Sequence, residues 1–254
     1  MTIGYHQYGT GEHKVIILHD WFSDVSSYSA LIPYLDQQHF TFIFADLRGY
    51  GKSKHFKGEY SVLETVSDIL TLADELGFNL FSIIGHSMSG MTVQYLLAHF
   101  PHRIAKAIAI APVPACGSPA DKDTFDFMKE AADNDLNKAA QAANMMSGNR
   151  HSNIFIKYKA QQWHKAATTE ARLGYLKMFT QTDFTESVQG CNKPLLVITG
   201  EYDIEAYNEQ GMKNTIKKWF ENAELKIAKN SAHYPMQEVP VWLATEIDNF
   251  LKNN

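Results

Sequence analysis

Short apolar runs closed by small or polar residues alternate along this chain with longer stretches whose apolar positions recur at helical spacing. Residues 3–8 alternate apolar and polar positions as an edge strand does, while residues 14–18, 41–45, 81–85, 104–111, 194–199 and 225–228 read as buried strands. Helices are predicted between them. Ser26 and Ser27 offer caps for a helix reaching about Leu35, and Ser61-Val62-Leu63-Glu64 has capping-box spacing. Val62, Val66, Ile69, Leu70 and Ala73 then form one helical face that closes near Gly77. Met91, Tyr95, Leu96 and Ala98 mark a helix stopped by Pro101, residues 212–220 another, and Leu243, Ile247, Phe250 and Leu251 the face of a last one. From Val113 to about Cys191 the pattern is helical, with no convincing strand. Strand-helix alternation implies an α/β fold with a mostly parallel sheet covered on both faces. The strandless stretch reads as a helical insertion of residues 113–190 into a core built from residues 1–112 and 191–254.

Composition narrows the class. A chain of 254 residues, 45% of them hydrophobic, can bury a large core without disulfide staples. Cys116 and Cys191 are its only cysteines and stand far apart, outside any metal-binding spacing, so two reduced structural thiols are expected. A formal net charge of -5 and the lack of a Lys/Arg-rich block argue against a nucleic-acid partner. Lys213, Lys217 and Lys218 fit a solvated helix face. No run approaches the roughly eighteen apolar residues of a membrane span, and residues 1–5 do not open a signal peptide. The expectation is a soluble, cytoplasmic protein with a small-molecule substrate and no membrane partner; oligomeric state is not encoded in any recognisable way. HExxH, Walker and dinucleotide fingerprints are missing, so neither a metal nor another cofactor is expected.

The candidate chemistry begins where residues 81–85 end in Gly85-His86-Ser87-Met88-Ser89-Gly90 and helical spacing resumes. A serine on a strand-to-helix corner needs small neighbours, which Gly85, Ser89 and Gly90 supply. The unpaired amides of the first helical turn would favour negative charge beside it. A serine hydroxyl is a weak nucleophile until a neutral imidazole takes its proton and a carboxylate orients that imidazole. Ser87, Asp203 and His233 all fall at predicted strand ends, in the order expected when the nucleophile sits on such an elbow. Glu201 is a reserve for the acid, and Glu205 also lies close. His6, His13, His99, His102, His151 and His164 are read as ordinary surface or core histidines.

With the elbow, the Asp46-Leu47-Arg48-Gly49-Tyr50-Gly51-Lys52-Ser53 loop, Gly200-Glu201-Tyr202-Asp203, and Ala232-His233 followed by Glu238-Val239-Pro240, nearly the whole chain resembles the α/β-hydrolase fold family. The His19-x-Trp21 and Ser87-Met88 pairing is similar to the esterase, perhydrolase and cofactor-free haloperoxidase group. The resemblance implies an eight-stranded sheet with a helical cap after the sixth strand, and an oxyanion hole formed by the amides of Trp21 and Met88. It makes Asp46 and Arg48 structural, and places His19 and His86 as supports of the loops near that hole. Two positions depart from the family pattern: Ser89 stands where glycine is usual, and Asp20 follows His19 where glycine is usual. The expected activity is hydrolysis of a small or medium ester through an acyl-enzyme. Thioester, amide, lactone and carbon-carbon bond cleavage, perhydrolysis, and ligand binding without turnover are the alternatives.

Overall fold

The computed structural model describes residues 2–253. Its strands are β1 (Tyr5–Tyr8), β2 (His13–Leu18), β3 (Phe40–Ala45), β4 (Phe81–His86), β5 (Ile104–Ile110), β6 (Leu195–Gly200) and β7 (Ala223–Ala228). They form one sheet in the order β1-β3-β2-β4-β5-β6-β7. β1 runs antiparallel to β3, and all other neighbours are parallel. Side chains alternate between two apolar layers. Ile16, Leu18, Ile83, Ala107 and Val197 face one, while Val15, Ile17, Ile84, Ile108 and Ile198 face the other. Burial of both faces is why these strands appear in the sequence as continuous apolar runs.

The helices are α1 (Val62–Glu75), α2 (Ser89–His99), α3 (Lys122–Asp133), α4 (Leu136–Met146), α5 (Asn153–Ala166), α6 (Thr169–Gln181), α7 (Thr185–Val188), α8 (Glu209–Asn214), α9 (Ile216–Trp219), α10 (Pro235–Glu238) and α11 (Pro240–Lys252). At α1 the Ser61 hydroxyl accepts from the Glu64 amide at 3.1 Å, and the Glu64 carboxylate reaches the Tyr60 amide at 2.8 Å, a capping box shifted by one residue. Leu243 and Ile247 of α11 pack into the second layer as its spacing predicts.

Four expectations change. The described residues carry seven strands rather than eight, one for each apolar run; the eighth came with the family resemblance and has no run of its own. The helical segment therefore follows the fifth strand, with α3 to α7 lying between β5 and β6. The helix expected to reach Leu35 is instead two 3-10 turns, Val25–Tyr28 and Ile32–Tyr34. Asp24 caps the first through the Ser26 amide, and Pro33, which has no N–H to give, prevents a continuous α ladder. Likewise residues 212–220 break at Thr215, whose hydroxyl donates back to the Gly211 carbonyl at 2.7 Å.

The corner between β4 and α2 sets the height of everything above the sheet. Ser87 there has φ +55, the left-handed region that costs a residue with a side chain roughly 1–2 kcal/mol. Three backbone bonds hold it: Ser87 N–H to the Ile110 carbonyl, and Val113 N–H and Gly90 N–H to the Ser87 carbonyl, each 2.9 Å. A Cβ on Gly85 would lie 2.6 Å from the Ser89 carbonyl oxygen, and one on Gly90 2.3 Å from the Pro112 side chain. Ser87→Gly should therefore be more stable than Ser87→Ala by about 1 kcal/mol in denaturant titrations, since both lack the hydroxyl and only glycine relaxes the positive φ. Coincident unfolding midpoints would show that the corner stores no strain.

Candidate active site

The loops leaving β4, β6 and β7 bring Ser87, Asp203 and His233 together. The Ser87 Oγ lies 2.9 Å from His233 Nε2, and His233 Nδ1 lies 2.9 Å from Asp203 Oδ2. Asp203 can only accept, so Nδ1 carries the proton and Nε2 is left bare to accept from the serine hydroxyl. The Ile204 amide donates to Asp203 Oδ1 at 2.8 Å and fixes the carboxylate plane. All three residues are buried. Chemically, this is a hydroxyl aimed at a proton acceptor whose far side is anchored by a carboxylate.

The histidine loop is held from several directions. Glu238, from α10, accepts from the amides of Ala232 (3.0 Å) and Tyr234 (3.1 Å), bracketing His233. His151 at 2.8 Å and Arg150 at 3.5 Å stand against the same buried carboxylate. The His233 amide donates to the Met146 carbonyl at the end of α4, and His86 Nε2–H donates to the His233 carbonyl at 2.7 Å. Glu201, the reserve acid, points elsewhere: it pairs with Lys229 at 2.9 Å and accepts from the Asn230 amide at 3.0 Å.

The loop after β2 closes the other side. His19 donates from Nδ1 to the Asp20 carbonyl at 2.7 Å and accepts at Nε2 from the Leu47 amide at 3.1 Å, which uses both ring nitrogens. The Ser89 hydroxyl donates to the His19 carbonyl at 2.6 Å, so the serine that replaces glycine ties the elbow to this loop. Trp21 is fixed twice, its indole N–H donating to the Arg172 carbonyl and its own carbonyl accepting from the Tyr50 hydroxyl, each at 2.8 Å. The amides of Trp21 and Met88 donate to no protein acceptor among the described residues. The Asp20 side chain is buried outside the cavity and accepts from the Ser23 hydroxyl at 2.6 Å. Asp46 and Arg48 are structural: Asp46 accepts from the Lys52 amide, and Arg48 grips Asp68 through two bonds of 2.6 and 2.7 Å.

Ser87, His233 and Trp21 open into a cavity of about 320 Å³. Phe22, Phe127, Met128, Met145, Met146 and Phe179 make most of its wall. Its lining contains no lysine or arginine, and Asp121 is its one carboxylate among the described residues. A larger groove of about 600 Å³ beside Tyr60 and Glu170 contains none of the three residues. Tyr207 was not foreseen: its ring lies 5.3 Å from the His233 ring and lines the cavity. The described residues hold no group of three or more His, Cys, Asp or Glu side chains arranged for a metal, and no helix long and apolar enough to cross a membrane.

Residues 14–238 match the family model for the alpha/beta hydrolase fold, and the chain belongs to that family. It is similar to a non-heme haloperoxidase of Rhodococcus erythropolis, at 26% identity over 251 residues covering 91% of this chain and 89% of that protein. It is also similar to the bifunctional esterase/perhydrolase DCH of Acinetobacter calcoaceticus, at 24% identity covering 80% and 79% of the two chains. Among solved structures, a bromoperoxidase from Bacillus anthracis superposes with a TM-score of 0.87 at 24% identity, covering 98% of this chain and 95% of that one.

His86 gives the site a pH signature. Burial, aided by His233 and Lys159 and opposed by Asp20, pushes this imidazole down to about 3 from its ordinary 6.5. Folded His86 thus stays neutral where the unfolded chain takes up a proton, so stability falls as pH drops from about 6.5 towards 3. The slope from this group approaches about 1.4 kcal/mol per pH unit. His86→Gln keeps a donor for the His233 carbonyl and should flatten the loss, as read by denaturant titrations at several pH values. Parallel curves for the two proteins would refute a buried neutral His86.

Proposed function

We propose that this chain is a serine hydrolase of neutral carboxylic esters bearing a small or medium apolar acyl group. The observation that carries the reading is the continuous relay from Asp203 through His233 to Ser87, with 2.9 Å at each joint. Ser87 Oγ attacks the ester carbonyl while His233 Nε2 takes its proton, and Asp203 holds the Nδ1–H that orients the ring. The amides of Trp21 and Met88 form the oxyanion hole, where each donor is worth roughly 3–4 kcal/mol in the transition state. His233 then returns the proton to the departing alcohol, and water repeats the sequence on the acyl-enzyme. Residues 113–190 act as a cap that supplies the acyl wall.

The wall supports a neutral acyl group: a substrate carboxylate buried there would lose its hydration with no cation to replace it, and would meet Asp121 at the rim. Perhydrolysis is a second reading, in which peroxide replaces water on the acyl-enzyme; the similarity to the esterase/perhydrolase favours it.

Ser87→Ala should lower turnover of p-nitrophenyl butyrate by on the order of a thousandfold or more and abolish labelling by a fluorophosphonate probe. The wild-type enzyme should prefer the butyrate ester over the equally long, anionic hemisuccinate ester at least tenfold in kcat/KM. Turnover surviving in Ser87→Ala would reject the nucleophile, and equal use of the two esters would reject the neutral acyl site.

A further inference from the structure

Outside the cavity wall lies a group of buried polar side chains that the proposed reaction leaves unused: Asp20, His86, Lys159 and Tyr234. Lys159 comes from the middle of α5 and is wholly buried, with its Nζ 4.1 Å from the centre of the Tyr234 ring. The Tyr234 and His86 rings meet edge to face at 6.1 Å, and His86 Nδ1 lies 3.9 Å from Asp20 Oδ1. Lys159 Nζ, Asp20 Oδ2, His86 Nδ1 and the Tyr234 hydroxyl have no hydrogen-bond partner among the described residues. His86 uses its one ring proton on the His233 carbonyl, so Nδ1 cannot donate to Asp20.

A carboxylate without a countercharge is costly to bury, and so is an ammonium. Burial holds Lys159 below its ordinary value, an effect that Asp20, foremost among the nearby acids, and then Asp24 and Glu238 offset in part. Burial also raises the Asp20 carboxyl, yet Lys159 foremost, then His86, Ser23 and His19, bring it to about 2. The two share one buried cluster, linked through Tyr234 and His86, with no direct hydrogen bond between them. They belong to different parts of the chain, Asp20 to the loop carrying the Trp21 amide and Lys159 to the helical segment between β5 and β6.

We propose that Lys159 is a positioning residue for hydrolysis: its ammonium neutralises buried Asp20 and so holds the 19–22 loop, with the Trp21 amide, at Ser87. This rests on the reading of that amide as an oxyanion donor. Asp20, which replaces the usual glycine, then has a task, and it can perform that task only when α5 is seated.

A double-mutant cycle on Lys159→Met and Asp20→Asn tests the idea, with p-nitrophenyl butyrate as substrate. Lys159→Met leaves Asp20 uncompensated and should lower kcat about tenfold while KM moves less than threefold, because Lys159 does not line the cavity. Adding Asp20→Asn should recover at least half of the lost kcat. Should Lys159→Met fail to fold, Asp20→Asn and the double variant still form a test, and their kcat values should agree within twofold. Wild-type kcat in Lys159→Met, a double variant no better than that single one, or a tenfold fall from Asp20→Asn to the double variant would each overturn the proposal. The Ser87→Ala control separates the cases. If it abolishes turnover while the cycle shows no coupling, only the role of Lys159 fails.

Discussion

One left-handed residue governs the geometry above the sheet. Ser87 can hold φ +55 because the backbone on both sides of it is committed, its N–H to Ile110 and its carbonyl to Val113. The pairing of His86 with Ile110 across β4 and β5 therefore sets how far the serine projects. A second register, Gly200 with Ala228 across β6 and β7, sets Asp203 against His233. The two loops leaving that pair pass so closely that a Cβ on Gly200 would lie 1.9 Å from the Ala232 carbonyl oxygen. Strand register thus becomes side-chain geometry through loops with almost no freedom of their own.

That economy concentrates charge in a dry region. Asp20, His86, Asp203, His233 and Lys159 are all buried, as is the Glu238 side chain, and isolated burial of any ionised member would be prohibitive. The arrangement tolerates them by giving each carboxylate at least one donor. Asp203 takes the His233 and Ile204 N–H groups, Glu238 takes the amides flanking His233, and Asp20 takes the Ser23 hydroxyl. Neutral His86 fits the same logic, since a second cation beside His233 would oppose proton transfer to that ring. Both departures from the family pattern belong to this network: Ser89 by its bond to the His19 carbonyl, and Asp20 by its turn away from the cavity.

What could be read in the sequence, and what could not, follows from how local each signal is. Buried strands announce themselves as apolar runs, and the elbow as a serine among small residues, because both constraints act within a few positions. Ser87, Asp203 and His233 stood out because they fall at strand ends in the order that goes with a nucleophile on an elbow. Choosing Asp203 over Glu201 needed the turn itself: the two lie two residues apart, and only the turn after β6 sends one to His233 and the other to Lys229. Pro33 was visible, but its effect on the helix depended on a competing cap at Asp24. Lys159 could not be read at all. In Lys157-Tyr158-Lys159 both lysines look like a solvated helix face, and only packing of α5 buries one of them.

The ties between the helical segment and the reacting residues run through backbone as well as side chains. The Arg172 carbonyl on α6 receives the Trp21 indole, the Met146 carbonyl at the end of α4 receives the His233 amide, and Lys159 Nζ on α5 lies 4.1 Å from the ring of Tyr234, the residue after His233. Helices that shape the cavity wall therefore also hold the loops that carry His233 and the Trp21 amide. A substitution at Met145 or Met146 made to enlarge the cavity would shift the carbonyl that positions His233. Under the proposed ester hydrolysis, pocket size and rate are then coupled, and a change in acyl preference made in α4 also moves kcat. A cap joined to the core only by apolar contact would let the two vary separately; hydrogen bonds to defined backbone atoms do not.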